Sequence, residues 1–432
     1  MRRATVAGLA GSIIEFYDYV AYAFLVVFIG PLFFPADNPT LSVIASFGLL
    51  AVGYLARPAG ALFFGTFGDR HGRRKALLVS IVAVGGATTV MGLLPTYAAI
   101  GVAAPILLLV TRLVQGFGSG GEQAGAATLV AESGDGRRHG FFQSFIASGA
   151  NIGSALAPAV VGLCSVILGA ETMTTWGWRV PLLISAVLTV FVVFLRWRVD
   201  ETPDFTALEV KQQVASAPLR ETFRSYWQRI LALVTLMLII VAPGAVLLSY
   251  MNVYLITVIG MPRTSVFWLS AIALTLGVIG NFLGGVLCDR FGARWVLVGA
   301  LLAHAAVIYP VFRVIEAASA DIVLVGLVYL VALICSNTAS SPVFAIATRL
   351  FPVKYRLSGI GAGFSIAGAL GGGLAPLASA ALVGASGNIH APAFLIIGFT
   401  VTGAVVAAIL TSSANLQGRE QRDADLERAA SQ

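Results

Sequence analysis

The chain has 432 residues, of which 58% are apolar and 11% are charged, and its formal net charge is +7. Soluble domains contain about 25% charged residues, so this composition excludes a soluble globule with one core and indicates a chain that lies mostly in lipid. The cysteines Cys164, Cys288 and Cys335 show neither the spacing of metal ligands nor the even number of a disulfide framework.

Twelve apolar stretches are long enough to cross a bilayer, which requires about 20 residues of helix. They cover residues 6–33, 41–67, 76–95, 102–130, 142–168, 179–197, 229–259, 264–288, 295–313, 321–347, 358–385 and 391–413. The first stretch follows two arginines, as in a signal peptide, but it lacks a clean cleavage site and continues to Pro31. We therefore expect it to be retained as the first helix of an all-α integral membrane protein.

Positive charge is distributed asymmetrically between the loops. Of the 27 lysines and arginines, 22 lie on the inner side if the N-terminus is inside, and the first outer loop, 34–40, has none. The positive-inside rule then predicts that both termini are cytoplasmic and that the charge reflects topology rather than nucleic-acid binding. The predicted domains are an N-terminal six-helix bundle (1–197), a cytoplasmic linker (198–228), a C-terminal six-helix bundle (229–414) and a cytoplasmic tail (415–432).

A charged turn occurs once in each half. Gly65–Arg74 reads GTFGDRHGRR, and Gly285–Arg294 reads GVLCDRFGAR, 220 residues later. We call these the first and second gate turns. Such repetition often marks a transporter built from two related halves.

The aspartate of each gate turn is not required by the positive-inside rule, and this favours a gate on the inner side. An aspartate at a helix end can accept hydrogen bonds from the exposed N–H groups of a neighbouring helix. The arginine beside it can bridge to a carboxylate such as that of Glu132. The alternative is a basic loop that only fixes the topology. The predicted gate residues are Asp69, Arg70, Gly72, Arg73, Glu132, Asp289 and Arg290.

Away from the ends of the predicted spans, five charged residues lie in the membrane interior, all in the first half: Glu15, Asp18, Arg57, Arg112 and Glu122. Each costs on the order of 3 kcal/mol to insert, so we expect them to face the bundle interior and to pair. A carboxylate that faces an arginine in a dry cavity can couple proton movement to a conformational change. We predict that Asp18, Arg112, Glu15 and Glu122 couple protons. The alternative is a structural ion pair that orients the helices.

Arg57 precedes Pro58, about 18 Å along the second helix from Asp69, which is near the middle of the membrane. A guanidinium in that position suits capture of a substrate carboxylate, whereas the alternative is an ion pair with Glu122 or Asp18. Uncharged polar residues complete the predicted substrate site, although each alone is more often an interhelical hydrogen bond. They are Tyr17, Tyr22, Asn151, Tyr250, Tyr254, Asn281 and Asn337.

The glycines between Arg112 and Gly121 match the dinucleotide-binding pattern, but no strand precedes them. Gly116 and Gly120, like Gly121 and Gly125, instead predict close helix packing. We therefore expect no cofactor, with the proton as the coupling ion.

The paired gate turns and the stretch RLVQGFGSGGE resemble the signatures of the major facilitator superfamily. GSIIEFYDYVAY, LARPAGALFFG, GWRVPLLIS, DETPDF and LFPVKYRLSG resemble more narrowly its metabolite:proton symporter family, which transports shikimate, 2-oxoglutarate, citrate, proline or betaine. The resemblance implies two six-helix bundles that rock about a central site. It also implies that Arg112 is the arginine associated with proton coupling and that Asp18 is the acid that faces it. The chain departs from the family at Ala293, where a basic residue is usual, and at Arg349, where an acid is usual.

These observations predict a proton-coupled symporter that imports a small organic acid across a bacterial inner membrane, and we expect it to be a monomer. The alternatives are a proton-coupled antiporter of the same fold and a symporter of a zwitterionic compatible solute. No loop contains an acidic metal-binding pair or a nucleophile with its base, so we do not expect an enzyme.

Overall fold

The computed structural model describes residues 2–35, 39–132, 138–210, 218–318 and 320–410. The long helices of the first half are α1 (Arg2–Phe33), α2 (Pro39–His71), α3 (Arg73–Leu93), α4 (Ala103–Glu132), α5 (His139–Leu168) and α6 (Arg179–Trp197). Those of the second half are α7 (Pro218–Ala245), α8 (Arg263–Phe291), α9 (Ala293–Ala317), α10 (Ile322–Thr338), α11 (Arg356–Ala367) and α12 (Ala391–Leu410). The predicted tail, 415–432, lies outside the described residues.

The described part of the chain is helical and contains no strand. Ten of its helical segments are long and apolar enough to cross a membrane, and α1 and α2, with 32 and 33 residues, complete the predicted twelve. The all-α prediction is therefore confirmed.

The seventh helix begins earlier than the sequence predicts. The apolar stretch starts at residue 229, but α7 starts at Pro218, inside the predicted linker, where proline suits a first helical turn. Its backbone leaves helical geometry at Tyr226 (φ −123°, ψ 18°). Hydropathy detected only the part beyond this kink, because the preceding turns are polar. A further short helix, Pro203–Val210, also lies within the linker.

Two helices of the second half change their winding within the membrane. After Ala245, α7 continues through the π-helical segments Val246–Tyr250 and Tyr254–Val258. After Ala367, α11 continues through the π-helical segment Gly368–Gly372. Such segments widen the helix and occur frequently at functional sites.

Glycines allow α2 and α4 to approach backbone to backbone. A Cβ atom on Gly116 would collide with the carbonyl group of Gly53, and one on Gly120 would collide with that of Arg57. This contact confirms the packing role predicted for Gly116 and Gly120, and it fixes the rotation of α2 that positions Arg57.

The two halves meet at the predicted inner end. There α5 packs on α8 so closely that a Cβ atom on Gly140 would lie 2.7 Å from the carbonyl oxygen of Gly285. Towards the opposite end, a groove of about 400 Å³ opens between the same helices, with Ala155 and Ala159 on one side and Trp268 and Ile272 on the other. The halves are therefore joined at the predicted inner end, and further along α5 and α8 an apolar groove separates parts of the two helices.

Candidate transport site and inner gate

The first gate turn connects α2 to the beginning of α11. The buried carboxylate of Asp69 accepts hydrogen bonds from the backbone N–H groups of Leu357 (3.3 Å) and Ser358 (2.9 Å). The first N–H groups of a helix have no intrahelical acceptor, and the helix dipole favours an anion there. This is the geometry that the sequence predicts for an aspartate of the inner gate.

Arg73 lies at the centre of this contact and is completely buried. Its guanidinium pairs with Asp69 at 3.1 Å and with Glu132 at 3.1 Å. It also donates to the carbonyl oxygens of Gly68 (2.9 Å) and Val353 (2.6 Å). One side chain thereby joins both bundles at the inner end, as the rigid fork of a guanidinium allows.

Arg70, which the sequence predicts as a bridge to Glu132, is exposed. The bridge to Glu132 is therefore made not by Arg70 but by Arg73, which is also among the predicted gate residues. Arg73 points inwards because it is the first residue of α3, and the intervening Gly72, at φ 100°, turns the chain as glycine readily does.

Three further residues complete the first gate, and the sequence analysis missed them. Glu201 accepts hydrogen bonds from the backbone nitrogens of Arg73 (2.9 Å) and Arg74 (3.2 Å) and so caps α3. Thr202 donates to Glu132 at 2.8 Å, and Arg356 pairs with Glu132 at 3.1 Å. Glu201 and Thr202 belong to the stretch DETPDF, in which an acid followed by Thr-Pro is a pattern that could have predicted a capping segment.

The second gate turn repeats the aspartate contact but not the arginine. Asp289 accepts from the backbone nitrogens of Gly140 (2.7 Å) and Phe141 (2.9 Å) at the beginning of α5. Ala293 occupies the position that corresponds to Arg73, and Arg290 is exposed, with its guanidinium near the ring of Phe291. Among the described residues, Arg290 therefore makes no contact between the halves that would support its predicted gate role.

Among the intramembrane charges, Arg57 pairs with Glu15 at 3.5 Å, and not with Glu122 or Asp18 as the sequence analysis considered. The side chain of Glu15 is fully buried, whereas that of Arg57 is 12% exposed. The guanidinium lies over the rings of Tyr19 (4.4 Å) and Tyr54 (4.9 Å), which restrict its position.

Asp18 and Arg112 are both buried, but they form no direct ion pair. One oxygen of Asp18 accepts from Thr88 at 3.1 Å, and the other has no hydrogen-bond partner. Gln115 bridges the two sites, since its amide nitrogen donates to Thr88 at 2.7 Å and its oxygen accepts from Arg112. The predicted facing pair is thus connected through uncharged side chains, which a search for charges could not detect.

Arg112 also lies over the ring of Tyr22, with 3.3 Å between its guanidinium carbon and the ring centroid. Tyr22 is therefore close to the predicted proton-coupling group, and its aromatic face partly compensates the buried cation.

Glu122 is fully bonded. It forms a bidentate pair with Arg196 of α6 and accepts a hydrogen bond from Ser80 at 2.9 Å. A Cβ atom on Gly11 of α1 would collide with this pair, so the bundle is packed around it. Arg196 lies at the end of the predicted sixth span, 179–197, and its long side chain explains how it reaches a carboxylate within the bundle.

Asn281 is buried, and neither polar atom of its side chain has a hydrogen-bond partner. On α8, Gly277 and Gly284 pack against α10, while Phe282 and Gly285 pack against α5. With about 3.6 residues per turn, Asn281 lies between these two faces and points towards the interior between the bundles.

Asn151 occupies a similar position on α5. Gln143 of this helix donates to Ala127 of α4, whereas Ile152 and Ala155 line the groove beside α8. Asn151 lies between those two faces, and its amide nitrogen has no partner. Both asparagines therefore present unsatisfied polar groups to the interior, and a buried polar group of this kind usually acquires a partner.

The other predicted substrate residues divide into two groups. The hydroxyl of Tyr254 is buried without a partner, and the ring of Tyr250 lies 6.2 Å from that of Tyr254. In contrast, Tyr17 donates to the carbonyl oxygen of Pro181 at 2.7 Å, and Asn337 donates to that of Gly277 at 3.0 Å. The structure therefore engages Tyr17 and Asn337 in interhelical hydrogen bonds and does not bring them into a common site with Arg57.

Comparison with known proteins agrees with this architecture. The family model of the Major Facilitator Superfamily matches residues 11–280 and 259–430. The chain is 32% identical to the proline/betaine transporter of Salmonella typhimurium, over 99% of this chain and 87% of that protein. It is 30% identical to the citrate-proton symporter of Klebsiella pneumoniae, over 89% of this chain and 86% of that protein.

Among solved structures, the proton:xylose symporter XylE bound to 6-bromo-6-deoxy-D-glucose superimposes with a TM-score of 0.76 at 15% identity, covering 93% of this chain and 94% of the other. At that identity the similarity concerns the fold. The relatives, the family model and the motifs agree: the chain belongs to the major facilitator superfamily, and within it to the metabolite:proton symporter family.

Proposed function

We propose that the protein is a proton-coupled symporter that imports a small organic acid across a bacterial inner membrane by alternating access. The observation that carries this proposal is Arg57, a cation in the membrane interior that keeps 12% exposure and pairs with Glu15 at 3.5 Å. A permanently charged guanidinium with free bonding capacity suits a carboxylate substrate.

The proton-binding group in this proposal is Asp18. Its second oxygen lacks a partner, and the described residues place no cation in an ion pair with it. A buried carboxylate without a counter-ion is costly, whereas its protonated form is not. A proton that binds Asp18 from the outer side would accompany the substrate, and Arg112 would stabilise the carboxylate once the proton leaves.

The inner gate supplies the other half of the cycle. Asp69 and Arg73 hold the first bundle to Ser358 of α11 and to Val353 just before it, and release on the inner side would require these bonds to break. Substrate and proton can drive that change only if they bind the two arrangements with different affinity.

A second candidate is a symporter of a zwitterionic compatible solute. Glu15 beside Arg57 offers a negative and a positive group at 3.5 Å from each other, which suits a substrate that carries both charges. The 32% identity to a proline/betaine transporter supports this candidate. A proton-coupled antiporter would share the fold and would move its substrate outwards.

Uptake into proteoliposomes tests the proposal. Shikimate, citrate, proline and glycine betaine are each supplied outside, with and without an inward proton gradient. We expect an acid to be concentrated inside only with the gradient. Concentration of proline or betaine alone would favour the second candidate, and efflux driven by the gradient would favour an antiporter.

The variant Asp18→Asn tests the coupling group. We expect it to lose gradient-driven uptake while it retains exchange of labelled for unlabelled substrate, because exchange requires no net proton movement. If Asp18→Asn still concentrates substrate to the wild-type level, Asp18 is not the coupling group.

A further inference from the structure

Glu15 is bonded far less completely than the neighbouring buried carboxylate of Glu122. Neither oxygen of Glu15 accepts a hydrogen bond, and its ion pair with Arg57 is 3.5 Å long. The carboxylate of Glu122 has a bidentate arginine and a serine hydroxyl. Glu15 can therefore leave its partner at a much lower cost in lost hydrogen bonds.

The charged surroundings of Glu15 leave Arg57 as its counter-ion. The charged groups that act electrostatically on the Glu15 carboxylate are Arg57 from α2, Asp18 from its own helix, Glu122 from α4 and Arg196 from α6. Arg196 is already paired with Glu122. Tyr19 and Tyr54 are uncharged, and their rings contact the guanidinium of Arg57.

We propose that Glu15 is a second proton site, which takes up a proton when the carboxylate of the substrate replaces it on Arg57. This inference rests on the proposed function, since it requires an acid that binds Arg57. It assigns to Glu15 a role separate from that of Asp18, on a different partner and with a different trigger.

Charge balance explains why the two events are coupled. Arg57 and Glu15 together carry no net charge, and a substrate carboxylate would leave the buried site negative by one unit. Transfer of one proton from water to an oxygen of Glu15 restores neutrality, which avoids the cost of an unpaired buried charge. When the substrate leaves on the inner side, Glu15 pairs with Arg57 again and releases that proton to water.

The Asp18→Asn variant isolates this second proton. In lipid nanodiscs, calorimetry in two buffers of different ionisation enthalpy gives the number of protons taken up per molecule of acid. The probe is the acid, shikimate or citrate, that the wild-type protein concentrates. At a pH at which Glu15 of the free protein is ionised, we expect Asp18→Asn to take up about one proton per acid. Over that range its affinity should fall about tenfold per pH unit, as linkage to one proton requires.

Adding Glu15→Gln to that variant should abolish the proton uptake and flatten the pH dependence, because the amide cannot bind the proton. Adding Glu171→Gln, an exposed glutamate on the outer side, is the matched control and should change neither quantity. If the double variant with Glu15→Gln takes up as many protons as Asp18→Asn, the inference is wrong while the proposed function stands.

Infrared difference spectroscopy provides a test that leaves position 15 unchanged. Binding of the acid to Asp18→Asn should produce the C=O band of a protonated carboxyl group, and its absence would overturn the inference. If the wild-type protein concentrates neither acid under a proton gradient, the proposed function fails first. If it concentrates only proline or betaine, Glu15 stays ionised as the partner of a cationic group, and the inference is overturned in favour of the second candidate.

Discussion

The two gate turns have the same backbone and differ in what their side chains hold together. In both, a glycine at positive φ follows the aspartate, and the aspartate accepts from two N–H groups at the beginning of a helix in the opposite bundle. In the first turn, Arg73 adds ion pairs to Asp69 and Glu132, whereas Ala293 in the second turn adds none. Both turns therefore cap a helix of the opposite bundle, and the first turn adds an ionic network to this cap.

This difference indicates which interface controls the inner gate. Contact between α5 and α8 depends on Asp289 and on the close approach of Gly140 and Gly285. Contact between α2 and α11 includes buried charges, whose separation is costly unless water or new partners replace them. We expect the first turn to set most of the free energy that keeps the inner end closed.

Arg73→Ala should have the largest effect. It leaves the carboxylates of Asp69 and Glu132 with less positive charge in a buried site, and removal of one partner of a buried pair typically costs about 3–5 kcal/mol. We expect loss of uptake, a lower melting temperature and opening of the inner end. Arg70→Ala is the control, because Arg70 is exposed and should behave nearly as the wild type.

Cys288 offers a direct measure of that opening. Its side chain is 7% exposed, and its Cβ atom would lie 2.8 Å from a Cβ atom on Gly140 across the α5–α8 contact. With Cys164 and Cys335 replaced by serine, the rate of thiol labelling in Arg73→Ala should rise well above that in Arg70→Ala. Equal rates would show that Arg73 does not hold the gate.

Replacement of the two aspartates should give a smaller and unequal pair of effects. Asp69→Asn removes a charged acceptor from the N-terminus of α11 and also leaves Arg73 with one carboxylate fewer. Asp289→Asn removes only the negative charge and one of the two acceptor oxygens at α5, a loss of about 1 kcal/mol for a charge at a helix terminus. We expect Cys288 labelling to increase in both variants and uptake to fall further in Asp69→Asn. Equal loss of uptake would contradict the asymmetry between the gate turns.

The sequence predicted the fold better than it predicted the pairing of side chains. Apolar length predicted the twelve spans because lipid requires the backbone polar groups of a spanning segment to be bonded internally, and a long apolar helix meets this requirement by itself. The repeated Asp-Arg-x-Gly gave the gate turns because a glycine at positive φ and a helix-capping aspartate are local requirements. Both signals are contained in short stretches of chain and do not depend on how the helices pack.

Pairing depends on helix rotation and on side-chain reach, which a single sequence does not specify. Arg57 pairs with Glu15 because the glycine contact between α2 and α4 sets its direction. Arg196 reaches Glu122 from a position that hydropathy assigns to the membrane boundary. The Gln115 bridge between Asp18 and Arg112 is uncharged, so the cost of burying charge does not predict it from the sequence.

Adding charge to the second turn should give the smallest effect, and it tests whether the missing arginine causes the difference between the two gate turns. By the repeat, Ala293 corresponds to Arg73. Arg349 follows the helical segment Ile322–Ala347, much as Glu132 ends α4. Ala293→Arg alone would place two cations near each other, and we expect weaker closure. Combined with Arg349→Glu, the same change creates a pair like that of Arg73 with Glu132. This pair is worth at most about 1 kcal/mol, because Ala293 is half-buried and Arg349 is exposed. Cys288 labelling should then be faster than wild type in the single variant and slower in the double variant; if the double variant labels as fast as the single one, the second turn cannot hold an ionic gate.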